Sequence, residues 1–328
     1  MGNTQNRVAV ITGGASGIGF AAASRCIGEL NMKVVIADFD VQNLNEATEK
    51  LKVLARKAGH EKPSSRVLGM KCDVTKKEDY VMLANGIFTN KNFGEVGFLF
   101  LNAGMSIGTS VINTSVEVLK KQIDVNVYGV WHGIHAFVPA MVAQPHESVI
   151  CATSSFAGLL NTSTLGIGAG APYTISKHAV TLTMEALQHE LRSMANNENG
   201  KVRAHVLCPA AVNTNYNQAA LKNNGMEDNS ALGGAMQQMQ SQSMQPERLV
   251  ELLSDGILKK KSFYIKGYDF GQPHEMLNAM LKARMEDIVH ERNPLSHLVR
   301  DEEGTKVRKS ISSARKVGMK ILADRGKL

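Results

Sequence analysis

The sequence of 328 residues has few cysteines, few aromatic residues and no long apolar run. The absence of any stretch of about 18 apolar residues excludes a membrane-spanning helix. The four cysteines, Cys26, Cys72, Cys151 and Cys208, are not spaced as metal-ligand pairs, so we expect free thiols in a reducing compartment. The hydrophobic fraction of 43% is too high for a disordered chain.

The net charge of +7 does not come from the body of the chain. Residues 305–328 hold eight lysines and arginines against one aspartate, which accounts for the whole excess. A formally neutral body argues against a nucleic-acid partner. The apolar spacing of this basic tail predicts an amphipathic helix for an anionic membrane surface or a partner subunit, and the alternative is a solvated chain end.

The two ends of the sequence bear on its location. Residues 1–7 lack the basic start and the apolar middle of a secretory signal, so we expect a cytoplasmic protein. The last three residues, Gly326-Lys327-Leu328, differ at one position from a peroxisomal Ser-Lys-Leu signal. The peroxisome is therefore the alternative location.

Short apolar segments alternate with longer helical ones along most of the chain. Most of the short segments are continuously apolar, as expected for parallel strands covered on both faces. They cover residues 8–12, 33–37, 66–71, 98–101, 149–153, 202–208 and 262–266. The helical segments between them cover residues 17–30, 42–59, 76–89, 115–141 and 172–196. This alternation predicts an α/β fold with a doubly wound parallel sheet of about seven strands and helices on both faces.

The composition changes after the sixth predicted strand. Residues 213–246 are rich in Asn, Gln, Met, Gly and Ser, which predicts a substrate lid of loops or broken helices. Helices are predicted over 246–258 and 273–292. We therefore expect a dinucleotide-binding and catalytic domain over residues 1–267 and a C-terminal helical extension over 268–328.

A glycine-rich turn follows the first predicted strand. It reads Thr12-Gly13-Gly14-Ala15-Ser16-Gly17-Ile18-Gly19 and leads directly into a predicted helix. Glycines let the backbone approach a phosphate closely, and the helix directs its first N–H groups and its positive dipole end toward that phosphate. The strand–turn–helix context indicates a dinucleotide site.

Asp38 ends the second predicted strand, about 20 residues after the glycines, as a dinucleotide site requires. Its carboxylate can accept hydrogen bonds from the adenosine ribose and would repel a 2′-phosphate. Neither Phe39 nor Ser16 supplies a cation that would neutralise such a phosphate, so the pattern favours NAD over NADP. The alternative is an ordinary turn residue.

Tyr173 and Lys177 are four residues apart at the start of a predicted helix, so they share one face. A phenol has a pKa of about 10, and a neighbouring ammonium group favours its ionised form. The pair is therefore a candidate general acid and base, and the alternative is a solvated helix face. Ser154 and Ser155 follow the fifth strand and could either bind a substrate oxygen or be ordinary strand-end hydroxyls.

Five further segments carry sequence motifs. They are Cys72-Asp73-Val74, Asn102-Ala103-Gly104, Asp124-Val125-Asn126-Val127-Tyr128-Gly129, Ser154-Ser155-Phe156-Ala157-Gly158 and the stretch from Pro209 to Thr214. With the glycine-rich turn and the Tyr173–Lys177 pair, they resemble the short-chain dehydrogenase/reductase family in its single-domain form, over residues 7–267.

The resemblance implies hydride transfer between NAD and a small secondary alcohol or ketone. It implies a catalytic set of Asn126, Ser155, Tyr173 and Lys177, in which Asn126 holds a water that relays the proton. It also implies a set of NAD-binding residues: Thr12, Gly13, Ser16, Gly17, Ile18, Gly19, Asp38, Asp73, Val74, Asn102, Ala103, Gly104, Tyr173, Lys177, Pro209, Val212 and Thr214. Family members usually form homodimers or homotetramers through the helices that correspond to residues 115–141 and 172–196.

Three positions depart from the family pattern. Leu101 replaces the first Asn of the family's Asn-Asn-Ala-Gly motif, and Ala210 replaces the Gly after Pro209. The interval between Ser155 and Tyr173 is long, which keeps Ser154 as an alternative to Ser155. We expect no metal site, because His132 and His135 have no evident further ligand. Two alternative functions stay open: an NADPH-dependent carbonyl reductase, and a non-catalytic NAD-binding scaffold or redox sensor.

Overall fold

The computed structural model describes residues 6–108, 110–161, 170–194, 201–214, 243–267 and 274–291. In these residues the strands form a seven-stranded parallel sheet in the order β3-β2-β1-β4-β5-β6-β7. The strands are β1 (Val8–Thr12), β2 (Lys33–Asp38), β3 (Val67–Lys71), β4 (Val96–Leu101), β5 (Ser148–Thr153), β6 (Val202–Pro209) and β7 (Tyr264–Gly267). The predicted fold class and strand number are confirmed.

Helices cover both faces of this sheet, as predicted. They are α1 (Gly17–Gly28), α2 (Val41–Lys57), α3 (Lys77–Phe88), α4 (Val116–Ile123), α5 (Gly129–Ala143), α6 (Ala171–Met194), α7 (Pro246–Asp255) and α8 (His274–Val289). Successive residues of β1 face opposite layers: Val8 and Val10 pack with α3, α5 and α6, whereas Ala9 and Ile11 pack with α1, α2 and α7. This alternation explains why the strands are apolar throughout.

The strand order places a crevice at the centre of the sheet. β1 pairs with β2 on one side and with β4 on the other, so the chain changes direction across the sheet at this point. In doubly wound sheets, ligands bind outside the carboxyl ends of the strands at such a switch point. The residues that follow β1, β4, β5 and β6 are therefore brought to one edge.

The single helix predicted over 115–141 needs a correction. In the structure, α4 ends at Ile123, a π-helical turn covers Asp124–Tyr128, and α5 begins at Gly129. A similar π-helical turn, Gly256–Lys260, follows α7 and overlaps the end of the predicted helix 246–258. A π turn inserts one residue into the helical repeat, and such insertions are frequent at functional sites. Apolar spacing alone does not reveal them.

Several predictions fall on residues outside those described. They concern most of the lid at 213–246, residues 162–169 of the segment between Ser155 and Tyr173, and the basic tail at 305–328. The domain division at residue 267 stays a prediction, whereas α8 confirms a helix in the C-terminal extension. Among the helices described, none is both long enough and apolar enough to cross a bilayer. The free cysteines Cys26, Cys72, Cys151 and Cys208 are all buried.

Candidate active site

The glycine-rich turn at the start of α1 has few side chains to cover its backbone. Gly13 and Gly17 have φ angles of 63° and 51°, in the left-handed region that favours glycine. A Cβ atom on Gly19 would lie 2.2 Å from the Gly13 carbonyl oxygen, so no larger residue fits. Ser16, at the N-cap of α1, makes no side-chain capping bond, and the first helical turn carries no acidic residue. This geometry suits a pyrophosphate group at the helix N-terminus.

Asp38 lies at the carboxyl end of β2, beside this turn. Its Oδ2 atom accepts a hydrogen bond of 3.3 Å from the Ala15 amide, and its Oδ1 atom accepts one of 3.2 Å from the Asp40 amide. Burial raises the pKa of Asp38 above its ordinary value, although the main-chain hydrogen bonds act in the opposite direction. These hydrogen bonds fix the carboxyl group beside the turn, at the position where the sequence predicts a contact with the adenosine ribose.

Asp73 and Val74 form the neighbouring edge of the crevice. Thr75 donates hydrogen bonds to the Asp73 carboxylate from its hydroxyl (2.7 Å) and its amide (3.1 Å). Burial acts to raise the pKa of Asp73, but the Thr75 bonds and the Lys76 charge outweigh it and hold that pKa below its ordinary value. The Val74 carbonyl lies 3.1 Å from Nδ1 of His132. That contact gives His132 a structural role on α5.

Asn102 connects the ends of three neighbouring strands. Its amide nitrogen donates to the main-chain oxygens of Thr12 (3.2 Å) and Gly13 (3.4 Å), and its Oδ1 atom accepts from the Thr153 hydroxyl (3.0 Å). The Thr12 hydroxyl in turn accepts hydrogen bonds from the amides of Asn102 and Ala103. The Asn102 side chain therefore fixes the shape of the crevice floor.

Leu101, the departure before Asn102, is buried in the core. A Cβ atom on Gly133 of α5 would lie only 2.4 Å from a Leu101 methyl carbon. The glycine on α5 thus makes room for the leucine, and an apolar contact between β4 and α5 occupies this position.

Asn126 lies in the π-helical turn and is 1% exposed. Its amide group bonds to the Met105 main chain in both directions, at 2.8 and 3.0 Å, and donates to the Ser176 hydroxyl at 2.9 Å. Ser176 donates in turn to the Tyr173 carbonyl at 2.7 Å. Asn126 therefore joins the loop after β4 to the first turn of α6.

Gln122 also helps to form the site, although none of the sequence motifs indicates it. Fully buried, it donates to the Met105 carbonyl at 2.6 Å and accepts from the Ile107 amide at 2.8 Å. Its position four residues before Asn126 places both amide side chains on one helix face. That spacing is the signal that could have identified it.

Lys177 is buried between the end of β5 and the Tyr173 ring. Its Nζ atom donates to the Thr153 carbonyl at 2.7 Å and lies 5.7 Å from the centre of the Tyr173 ring. Burial lowers the pKa of Lys177 to about 8, because it disfavours the charged form. A Cβ atom on Gly104 would lie 3.3 Å from Nζ and 3.2 Å from Oδ1 of Asn126. The structure thus brings Tyr173, Lys177, Asn126 and Gly104 together.

The two serines after β5 have different surroundings. Ser154 is buried, and its hydroxyl bonds to the Lys177 carbonyl at 2.9 Å and to Thr181 at 2.8 Å. Ser155 is half-buried, and its hydroxyl accepts from the Ala157 amide at 3.1 Å and lies 3.5 Å from the Pro209 carbonyl. Ser154 therefore anchors the strand end to α6, whereas Ser155 faces the segment that begins at Pro209.

The segment after β6 returns to the glycine-rich turn. A Cβ atom on Gly17 would lie 3.1 Å from the Thr214 methyl carbon. Val212 forms a parallel bridge with Met244, and Ala210 donates to the Gly267 carbonyl. The bridge joins the two described ends of the predicted lid, beside the start of α1.

The chain belongs to the short-chain dehydrogenase family, whose model matches residues 7–225. It is 33% identical to an uncharacterized oxidoreductase of Listeria innocua over 210 residues, which are 64% of this chain and 76% of the relative. It is 26% identical to a C alpha-dehydrogenase of Sphingobium over 275 residues, 82% of each chain.

A solved structure agrees with this assignment. It is a short-chain dehydrogenase/reductase from Burkholderia phymatum in complex with NAD, 32% identical, with a TM-score of 0.74. The match covers 90% of this chain and 98% of that chain. The protein described here is therefore an oxidoreductase of this family, which uses NAD or NADP.

Proposed function

We propose that the protein is an NAD-dependent oxidoreductase that interconverts a small secondary alcohol and a ketone, with Tyr173 as the general acid and base. The observation that carries the proposal is the buried ammonium group of Lys177, 5.7 Å from the Tyr173 ring and bonded to the end of β5. A cation held there favours the ionised phenol. The half-buried Ser155 hydroxyl follows the same strand.

Each residue has a part in alcohol oxidation. The Tyr173 phenolate removes the hydroxyl proton of the substrate, while Ser155 donates a hydrogen bond to the substrate oxygen. The glycine-rich turn and Asp38 would hold NAD, which would supply the acceptor for the hydride of the carbinol carbon. Lys177 keeps the phenol acidic, and Asn126 and Ser176 hold the turn that carries Tyr173. In the reducing direction, Tyr173 returns the proton.

The Tyr173→Phe variant tests the proposal directly. We expect turnover of secondary alcohols to fall by at least about 10²-fold, because general acid–base catalysis contributes that much or more, while NAD affinity stays within about twofold. The measurement is NADH absorbance during a screen of secondary alcohols, with NAD binding followed by calorimetry.

Tyr128→Phe is the matched control. Tyr128 is 53% exposed and stacks on His132 through its ring, which phenylalanine keeps. Near-normal turnover in Tyr173→Phe would remove the proposed base. NAD binding without turnover of any alcohol or ketone by the unmodified protein would favour the alternative of a non-catalytic scaffold or redox sensor.

We also propose NAD rather than NADP as the cofactor, on the position of the Asp38 carboxyl group. A 2′-phosphate on the ribose would meet this group beside the glycine-rich turn. The unmodified protein should show a kcat/KM at least about tenfold higher with NADH than with NADPH, and Asp38→Asn should narrow that ratio because it removes the charge and keeps the shape. Much faster turnover with NADPH would instead identify an NADPH-dependent carbonyl reductase.

A further inference from the structure

Helix α8 of the C-terminal extension reaches the elements that carry the candidate catalytic residues. The Arg284 guanidinium group donates to the main-chain carbonyl of Leu159, and it lies 2.8 Å from Nε2 of His178 on α6. Two other contacts hold α8 in place: Met280 and Ala283 are buried, and Lys266 donates to Asn278 at 2.9 Å.

The surroundings of His178 define its tautomer. Nδ1 lies 2.9 Å from the Thr174 carbonyl, which only accepts hydrogen bonds, so Nδ1 carries the proton. Nε2 is then the acceptor for the Arg284 guanidinium, and the ring is neutral. Burial lowers the pKa of His178 and the Arg284 charge acts in the same direction, whereas backbone hydrogen bonds to Thr174 and Ala157 act to raise it. The arginine and the histidine thus form a directional hydrogen bond.

The two partners of Arg284 belong to different parts of the site. Leu159 directly follows the 3₁₀ turn Phe156–Gly158, which begins one residue after Ser155. His178 directly follows Lys177 and bonds back to the helical turn that carries Tyr173. The Arg284 side chain therefore links the turn after Ser155 with the face of α6 that holds the acid–base pair. It reinforces a direct backbone hydrogen bond between His178 and Ala157 of that turn.

We propose that Arg284 is a positioning residue that fixes the turn after Ser155 relative to Tyr173 and Lys177. The inference rests on the proposed function, because it assigns Ser155 and Tyr173 to the same substrate oxygen. A small misplacement of groups that act on one atom lowers the rate of the chemical step, by up to about 10²-fold for about 1 Å. The C-terminal extension then contributes to catalysis without contacting the reacting atoms.

The test compares Arg284→Gln with Lys282→Gln, which changes an exposed cation two residues away on α8. In Arg284→Gln we expect kcat to fall by about tenfold or more, with NAD affinity within about twofold. Arg284→Lys should recover only part of the loss, since the shorter lysine side chain does not place its ammonium group where the Arg284 Nη1 atom bonds to both Leu159 and His178. Lys282→Gln should match the unmodified protein.

A double-variant cycle with His178→Ala tests whether Arg284 acts through the imidazole. The loss of kcat in the double variant should be smaller than the product of the two single losses. Fully multiplicative losses would overturn the link through His178. An unchanged kcat in Arg284→Gln would overturn the positioning role.

Hydrogen exchange supplies a readout that does not need turnover. In Arg284→Gln, amides at 156–160 and 173–178 should exchange faster, with the sheet unaffected. The proposal would be overturned by faster exchange throughout the sheet. It would also be overturned if the exchange rates of these two segments did not change. If the unmodified protein turns over no alcohol while this local effect is present, the proposed function fails and the Arg284 link stands.

Discussion

Lys177 keeps an ammonium group in a buried position, 3% exposed. A buried cation is unfavourable for stability, and its hydrogen bond to Thr153 offsets only part of that cost. The position is explained if the charge is needed by the neighbouring phenol. Function and stability therefore place opposite demands on this residue.

The Lys177→Met variant should separate these demands. We expect turnover to fall by at least about 10²-fold, while stability at pH 7 is equal to or higher than that of the unmodified protein, because methionine suits a buried site. Denaturant unfolding and alcohol oxidation measure the two effects, with the exposed Lys282→Met as control. A large loss of stability would show that the ammonium group is mainly structural.

The stability of the unmodified protein should also depend on pH through Lys177. Its pKa is about 8 in the folded chain and about 10.4 in an unfolded one. Between these values the unfolded chain binds more protons, so stability relative to Lys177→Met should rise from pH 8 to pH 10, by up to about 3 kcal/mol. A flat difference over this range would contradict the burial of a charged lysine.

At the scale of elements, the contact between the glycine-rich turn and α1 shapes the proposed phosphate site. The 2.2 Å separation at Gly19 involves the Gly13 backbone, which cannot move away without changing the turn. Gly28, at the other end of α1, is exposed and has no atom within 4 Å of an added Cβ. Gly28 is therefore a suitable control position for a substitution at Gly19.

Gly19→Ala should weaken NAD binding by more than about tenfold. The added methyl group forces the turn to open, so its backbone N–H groups no longer point toward the phosphates. Gly28→Ala should bind NAD normally and gain up to about 1 kcal/mol of stability, since alanine is the better helix former. Calorimetric titration with NAD checks both variants. Equal affinities would show that the turn does not hold the pyrophosphate.

At the scale of the whole molecule, the outer faces of α5 and α6 carry exposed apolar side chains. Trp131 is 47% exposed, Ile175 48% and Leu182 66%. Exposed apolar side chains on neighbouring helices are typical of an interface, and we propose that these helices form the homodimer or homotetramer that the family resemblance implies. We also propose a cytoplasmic location. Imaging of the protein with its C-terminal Gly-Lys-Leu intact would distinguish the cytoplasm from the peroxisome.

Leu182→Glu should therefore lower the mass observed by sedimentation, because a carboxylate buried in an interface has no partner there. Met82→Glu is the control, since Met82 is similarly exposed, at 61%, but lies on α3. A monomeric unmodified protein, or an unchanged assembly in Leu182→Glu, would contradict the proposed interface.

The elements were predictable because their signals are local. Continuously apolar strands and the helical repeat each depend on neighbouring residues, and so does the Tyr173–Lys177 spacing. The π-helical turn at Asn126 was not predictable, because one inserted residue leaves the apolar pattern almost unchanged. Gln122 was missed for a related reason, since its partners are main-chain atoms of a loop that the pattern does not specify.

The sequence by itself determined the sheet, the family and the residue types at the crevice, because strand alternation, helical period and the glycine-rich turn are encoded in consecutive positions. Only the tertiary structure distinguished Ser154, bonded to α6, from Ser155, half-buried at the crevice. It alone also brought Arg284 to the turn that follows Ser155. These assignments depend on which distant backbone atoms come within hydrogen-bonding distance, and chain packing decides that.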